Sequence, residues 1–462
     1  MGKRGLVYER IFSQIAKKVS PTKAEAIEEK AFAEGIRKKL QKAFGKKAQL
    51  FFVGSTARDT GIQGDKDIDI FAAFPKARTK AQIVGTTIST VKRVLPAKWE
   101  MHYAEHPYLQ GRLEGFKVEV VPCFKIKVNE GIISAVDRTP LHALYLQRHL
   151  TLKQKRDVRV LKALLKAHGI YGAELEVEGF SGLVCEYLVL NYRSLATLLN
   201  EAANWKPPVV LDIEDYYDQE YAGLVSKFKT PLIIVDFIDR NRNAAAAISL
   251  PNFKKFIALS KSFIRNPSEK LFRKPEIKFT SGQILAEIKK RNLILLKMRR
   301  PSNLVSDILI PQLRRSAASI AKQLELAEFE TLDAFSFVDE KNAFIAIDLE
   351  SRRIAGKKTL VGPPIEFKEH MRKFLNAHKR KLRKPYSQNG RVVIEVRREI
   401  TDAKQLLQLI MRNPQKHGIA SHFVSPMMKS QLLEGNSLLY HIEGNTYLQL
   451  KFAERYFRKP IR

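Results

Sequence analysis

Cysteine is nearly missing from this chain. Only Cys123 and Cys185 occur among 462 residues, each among apolar neighbours. Two reduced thiols in a cytosolic core are the expectation, not a disulfide framework. Long apolar runs are missing too, and no stretch approaches the length of a membrane-spanning helix. The first twenty residues, MGKRGLVYERIFSQIAKKVS, lack a continuous apolar segment and a small-residue cleavage site. A cytoplasmic protein is therefore expected. Internal repeats and low-complexity tracts are absent as well. Acid is scarce relative to base: 48 Asp and Glu face 81 Lys and Arg, a net charge of +33. That excess calls for a large polyanionic partner, and nucleic acid is the natural one. A membrane surface is the competing partner, but no long basic amphipathic helix or lipidation signal supports it.

What is present is enough for several cores. The chain is 45% hydrophobic and 28% charged, and its length suggests about three domains. Residues 50–74, LFFVGSTARDTGIQGDKDIDIFAAF, organise the rest. Leu50 to Val53 read as a buried strand, Gly54-Ser55 as a sharp turn, and Asp67-Ile68-Asp69-Ile70 as the start of a second strand. Alternation puts Asp67 and Asp69 on one face, roughly 6–7 Å apart, and points Ile68 and Ile70 into the core. Two carboxylates at that spacing repel unless a cation sits between them, and hard oxygen ligands suit Mg²⁺. The Gly54-Ser55 turn offers N–H groups and a hydroxyl to phosphate oxygens, and Arg58 adds a charged fork. A strand, a Gly-Ser turn and Asp-x-Asp on the next strand resemble the core motif of the polymerase-β-like nucleotidyltransferases. A surface loop with a solvated charge run is the plainer alternative for Asp-x-Asp alone.

Periodicity predicts helices over 6–19 and 22–44, a polar helix around 79–95, and a possible hairpin of strands 99–105 and 111–122. On the latter, Glu119 stands between Val118 and Val120 and must be neutralised. It either pairs with a nearby Lys or Arg, or completes a carboxylate triad with Asp67 and Asp69; the triad accounts for all three acids together. His142 follows Pro140 at a helix start, where a lone histidine is most often a surface or capping residue. Helix 153–168 carries Arg159, Lys162 and Lys166 on one side, by default a solvated basic face. A glycine-punctuated loop presents Tyr171, and a buried helix starts near Ser181. A strand over 231–239 ends in Arg240-Asn-Arg-Asn243 and passes into an Ala-rich helix. After a boundary at 265–275, strand 293–299, helix 311–328, strands 332–338 and 343–349, helix 366–382 and strand 391–398 give the order βαββαβ, the ferredoxin-like order of many RNA-binding modules. The run His378-Lys379-Arg380-Lys381-Leu382-Arg383-Lys384 closes the second of these helices and fits a phosphate-gripping ridge. The last sixty or so residues read as a small helical and hairpin tail, with exposed aromatics at Tyr440, Tyr456 and Phe457.

Together GSTARDT, DIDIF, YAEHPY, VEVVPC, SAVDRTPLH, HGIYGAE, GFSG and RNRNAAAAIS closely resemble the archaeal (class I) CCA-adding enzymes, a family of tRNA nucleotidyltransferases. VDRTP with HGIYGAE is the most diagnostic text, and the resemblance covers nearly the whole chain. It implies an α+β multidomain protein: a polymerase-β-like nucleotidyltransferase head (1–145), a mostly helical central nucleotide- and base-binding domain (146–270), a ferredoxin-like RNA-contacting body (271–398) and a small α/β tail contacting tRNA (399–462), in a homodimer. It also implies template-independent addition and repair of the 3′-terminal CCA of tRNA, with CTP and ATP as substrates and two Mg²⁺ ions as cofactors. The tRNA would be held by its acceptor and T-arm. Carried over by position, Asp67, Asp69 and Glu119 fall on the catalytic metal carboxylates. Ser55, Arg58, His142, Lys162 and Tyr171, with Gly54, fall on positions that hold the nucleotide triphosphate and sugar, and Arg242 on the reader of the incoming base. Arg242 has only donors, which donate to the ring-nitrogen acceptors of cytosine and adenine and repel the N–H of uracil and guanine. The first acid is often Glu in relatives and is Asp67 here; the third is usually Asp and is Glu119 here. A poly(A) polymerase or oligoadenylate-type enzyme shares the Gly-Ser and Asp-x-Asp core, and a catalytically silent RNA-binding relative is the other alternative.

Overall fold

The computed structural model describes residues 3–65, 67–103, 107–128, 131–274, 278–302, 304, 306–378 and 381–457. They form two compact units, one made of the described residues up to 274 and the other of those from 278 to 457.

In the first unit, Thr22 and Glu25 form a reciprocal capping box that starts the helix Lys23–Phe44, and Gly45 at φ 56° ends it. Five strands follow: β1 (Gln49–Val53), β2 (Asp67–Phe74), β3 (Glu100–Tyr103), β4 (Pro107–Leu113) and β5 (Phe116–Phe124). They lie in the order β1-β2-β5-β4-β3, with β2 and β5 parallel and the other neighbours antiparallel. The hairpin expected from 99–105 and 111–122 is thus three strands. Glu114 and Gly115, both at positive φ, turn β4 directly into β5.

One face of this sheet is apolar throughout. Ile68, Ile70, Val118 and Val120 are fully buried there, among side chains of the helices Lys23–Phe44 and Lys80–Val94. The other face is divided. Its inner half packs Phe71, Ala73, Val121 and Cys123 with Ala143, while its outer half carries Asp67, Asp69, Lys117 and Glu119. Alternation in two parallel strands therefore delivers four charged groups to one patch.

A helical layer completes the unit. The helices Lys3–Val19, Leu152–Ala167, Gly182–Tyr192, Leu195–Ala202 and Leu250–Arg265 share one core. The first helix accordingly packs with the segment beyond residue 146, although sequence order grouped it with the head. Strands β6 (Val209–Leu211) and β7 (Leu232–Ile234) pair in parallel. The Ala-rich segment after Asn243 forms turns, and the helix starts only at Leu250, with Pro251 in its first turn.

In the second unit β8 (Asn292–Arg299), β9 (Thr331–Val338) and β10 (Asn342–Leu349) share a sheet, whereas β11 (Lys357–Pro364), β12 (Tyr386–Gln388) and β13 (Arg391–Arg397) form another. The strand beside β8 is β14 (Gln431–Glu434), giving the order β14-β8-β10-β9. The four-stranded sheet keeps the ferredoxin-like order, but its fourth strand is β14 and not the expected strand at 391–398. The strand at 391–397 pairs with β11, which the Gly362-Pro363-Pro364 text hid; prolines are tolerated there because β11 is an edge. The segment beyond 399 covers both faces of the four-stranded sheet. Leu406, Leu407, Ile410, Phe423 and Met427 pack on one, and Leu438, Ile442, Leu448 and Phe452 on the other. Of the three aromatics expected at the surface, Tyr440 is 81% exposed, but Tyr456 and Phe457 pack against the second core. The helix expected over 366–382 ends at Ala377.

Candidate active site

Parallel pairing of β2 with β5 sets Asp67 opposite Lys117 and Asp69 opposite Glu119. Asp69 is half-buried and Asp67 exposed. Burial, then the charges of Glu119 and Asp67, push the Asp69 carboxyl up to about 6, and burial with its acidic neighbours also raises Asp67. Gly54 sits against this patch at φ 77°: a Cβ there would lie 2.2 Å from Asp69 Oδ2, so only glycine fits. Ser55 and Arg58 stand on the short helix Gly54–Arg58 that follows β1 directly.

Among the described residues no three acidic, histidine or cysteine side chains are already gathered in metal-holding geometry. Glu119 has a different partner. Lys117 Nζ is 2.7 Å from its Oε1, so the monovalent ammonium answers the negative patch. Burial works against the Lys117 charge, but the Glu119 hydrogen bond and the fields of Asp67 and Asp69 outweigh it and raise its pKa. Three carboxylates in mutual repulsion, all hard oxygen donors on one face, suit a divalent cation.

Arg58 and Lys162 do not project into solvent. Arg58 is buried, its Nε donating to Glu186 Oε1 and Oε2 at 2.9 and 3.0 Å, and Thr60 Oγ1 donates to the same carboxylate at 2.6 Å. Lys162 is 2% exposed and donates to the Thr60 carbonyl at 2.9 Å. Burial lowers its pKa, partly offset by Glu186. Its helix neighbours act alike. Arg159 donates to the carbonyls of Asp59 and Gly61, and Lys166 pairs with Asp65 at 2.8 Å. The row expected to be a solvated basic face instead clamps residues 59–65 behind the Gly-Ser turn. Tyr171 meets Lys162 at the start of the helix Gly182–Tyr192: a Cβ on Gly182 would lie 3.2 Å from the tyrosine oxygen and 3.6 Å from the ammonium.

His142 is buried rather than at the surface. Its Nε2 lies 2.8 and 3.0 Å from the two oxygens of Asp236, and burial, partly offset by Asp236, lowers its pKa. Arg242 Nη1 donates to the same carboxylate, as do Tyr187 Oη at 3.1 Å and the Ile238 N–H at 2.9 Å. Burial alone would raise Asp236; His142, Arg242 and the Ile238 amide outweigh it and hold it far below the usual carboxylate range. Beside this knot lies a cavity of about 610 Å³ lined by Gly131, Ile132, Tyr216 and residues 238–241. Sequence reasoning missed Lys117, Glu186 and Asp236. The last two were legible by the argument applied to Glu119, since both are acids set in apolar text, CEYLVL and LIIVDF.

Of the basic run in the second unit, Lys379 and Arg380 lie outside the described residues. Lys381 bridges to Val396 and is half-buried, Arg383 pairs with Glu395 at 2.7 Å and lies over the Tyr386 ring, and Lys384 is exposed. Lys381, Arg383 and Lys384 lie past the helix, which ends at Ala377, instead of on it.

Comparison with known proteins adds three matches along the chain. Residues 33–142 match the nucleotidyltransferase domain, 156–273 the second domain of tRNA nucleotidyltransferase, and 289–429 the C-terminal domain of CCA-adding enzyme. A CCA-adding enzyme of Methanocaldococcus jannaschii is 32% identical over 96% of this chain and 99% of its own length. One from Methanococcus maripaludis is 37% identical over 78% of this chain and 82% of its own. One from Halobacterium salinarum is 34% identical over 80% of each.

Proposed function

The chain belongs to the CCA-adding enzyme family, and from that premise we propose that Asp67, Asp69 and Glu119 are the acids on which its nucleotidyl transfer is built. The protein is a tRNA nucleotidyltransferase of CCA addition, acting on tRNA with nucleotide substrates and a divalent metal. The observation that carries the site is the register of β2 and β5, which sets Asp69 beside Glu119 next to Gly54.

CTP and ATP are the substrates in this reading. Two Mg²⁺ ions held by Asp67, Asp69 and Glu119 would neutralise triphosphate charge and activate the tRNA 3′-hydroxyl. Gly54 and Ser55 offer an N–H and a hydroxyl to phosphate oxygens at the edge of the carboxylate patch. Arg58 and Lys162 act as fixed positive charges behind that turn, kept in place by Glu186 and Thr60, and they favour the triphosphate through a low-dielectric interior. Tyr171 and His142 border the sugar, and Arg242 reads the base with donors alone. Lys381, Arg383 and Lys384, with the adjoining Lys379 and Arg380, contact tRNA phosphates, Arg383 after release from Glu395. The tRNA is gripped by shape and charge at its acceptor and T-arm, so affinity falls steeply with salt. Among the described residues no helix is long and apolar enough to cross a membrane.

End-sequencing of a tRNA lacking its 3′ CCA, incubated with all four nucleotides, tests the reading. Ordered addition of C, C and A supports it. A run of A would favour the poly(A) polymerase alternative, and no Mg²⁺-dependent addition the silent RNA binder.

A further inference from the structure

The base-reading and sugar-side residues come from different elements: His142 from the helix Arg138–His149, and Arg242 from the loop after β7. One carboxylate joins them. The Asp236 side chain is fully buried and receives five contacts from four partners, namely both oxygens from His142 and one each from Arg242, Tyr187 and the Ile238 amide. Its own N–H donates to the Arg242 carbonyl at 3.2 Å, closing the 236–242 loop. The loop is pinned further by Arg138 to Asp239 at 2.7 Å and by Tyr187 Oη accepting from the Phe237 N–H at 3.1 Å.

We propose that Asp236 is a positioning residue that sets nucleotide choice, by fixing the guanidinium of Arg242 and the tautomer of His142 together. This rests on the reading of Arg242 as the base reader and His142 as a sugar contact. A guanidinium in solution presents its five donors in many orientations; one anchored through Nη1 presents the remainder in one. Arg242 suits this, since a third of its side chain is open (33% exposed) while the anchor itself is sealed. His142 gains in a different way. Its Nε2 faces a carboxylate, which has only lone pairs to offer, so Nε2 carries the hydrogen. With burial keeping the ring neutral, Nδ1 is left as an acceptor, the form that receives a hydroxyl hydrogen. A ribose has such hydroxyls and a base edge does not. One acid therefore enforces a donor toward the base and an acceptor toward the sugar.

The test uses full-length protein and a tRNA ending in CC or C, with single additions measured for each of the four ribonucleotides and for deoxy-ATP. Asp236→Asn keeps the shape and removes the charge. It is expected to lower kcat/KM for CTP and ATP by about tenfold or more while UTP and GTP change little, and to narrow the ribose preference in parallel, with tRNA affinity unchanged. Arg242→Ala is run beside it. If Arg242→Ala leaves base choice intact, the base-reading assignment is wrong. If Arg242→Ala relaxes choice and a folded Asp236→Asn does not, the positioning role is overturned. Should Asp236→Asn fail to fold, Tyr187→Phe removes one anchor of the carboxylate and keeps the ring. It is expected to relax selection by a few-fold, and unchanged selection there overturns the proposal equally.

Discussion

Two carboxylate sites in the first unit behave in opposite ways. On the sheet, Asp67, Asp69 and Glu119 repel one another, and Asp69 is pushed up to about 6. In the helical layer Asp236 is held far below the usual range because His142, Arg242 and the Ile238 amide outweigh burial. The first cluster has one ammonium, Lys117, for three carboxylates; the second has more donors than one carboxylate needs. Burial is common to both, so burial alone does not decide which acid acts and which organises. What decides is whether the chain itself supplies the partners.

The contrast breaks most visibly at Asp69. Asp69→Asn is expected to reduce CTP incorporation by at least about 10³-fold, matching removal of divalent ions by EDTA, with tRNA binding by filter retention unchanged. Equal loss of binding and incorporation would make the acids structural, like Asp236. Next in size is Glu186, the fully buried partner of Arg58. Glu186→Ala leaves a buried guanidinium without its carboxylate and is expected to cost about 3–5 kcal/mol in urea unfolding of the first unit. A loss below 1 kcal/mol would mean that Arg58 finds solvent.

Stability against pH separates the clusters by sign. Because the fold raises Asp69, it prefers that carboxyl protonated, and metal-free protein loses stability as pH rises from about 4 through about 6. Asp236 is depressed, so its contribution is complete above about pH 4, the unfolded value, and is lost as pH falls below it. At pH 7.5 without metal, Asp69→Asn is therefore expected to raise Tm by a few degrees and Asp236→Asn to lower it. Shifts of the same sign would erase the distinction between the two sites.

How much of this was legible follows from the range of each signal. Alternation in DIDIF and FKVEVVPC placed the apolar and charged residues of β2 and β5 on the correct faces, because strand periodicity is local. The row of Arg159, Lys162 and Lys166 was also found as a row, but its partners are the carbonyls of residues 59–61 and the Asp65 carboxylate, about a hundred positions away, and periodicity says nothing about distant groups. The fourth strand of the second unit was misassigned for a related reason. The order βαββαβ was read from spacing, yet pairing is a long-range property; β14 took the place beside β8, and β11, with its glycine and prolines, drew β13 into a separate sheet. Asp236 was passed over because four of its five contacts come from residues 142, 187 and 242, on separate elements.

Lys117 is the point where the two clusters come nearest to each other in character, since it gives the sheet acids an internal partner. Its ion pair with Glu119 is part-exposed, the ammonium side chain at 35%, so the pair contributes only about 1 kcal/mol. A metal that recruits Glu119 must overcome that amount, together with the repulsion between Lys117 and the incoming cation. Lys117→Met keeps an unbranched stem and deletes the charge. Mn²⁺ binding without nucleotide, followed by calorimetry or paramagnetic relaxation, is expected to tighten by about five- to tenfold. Weaker binding would reverse the argument: Lys117 would then be holding the three carboxylates together, and the sheet cluster would be internally compensated in the same manner as Asp236.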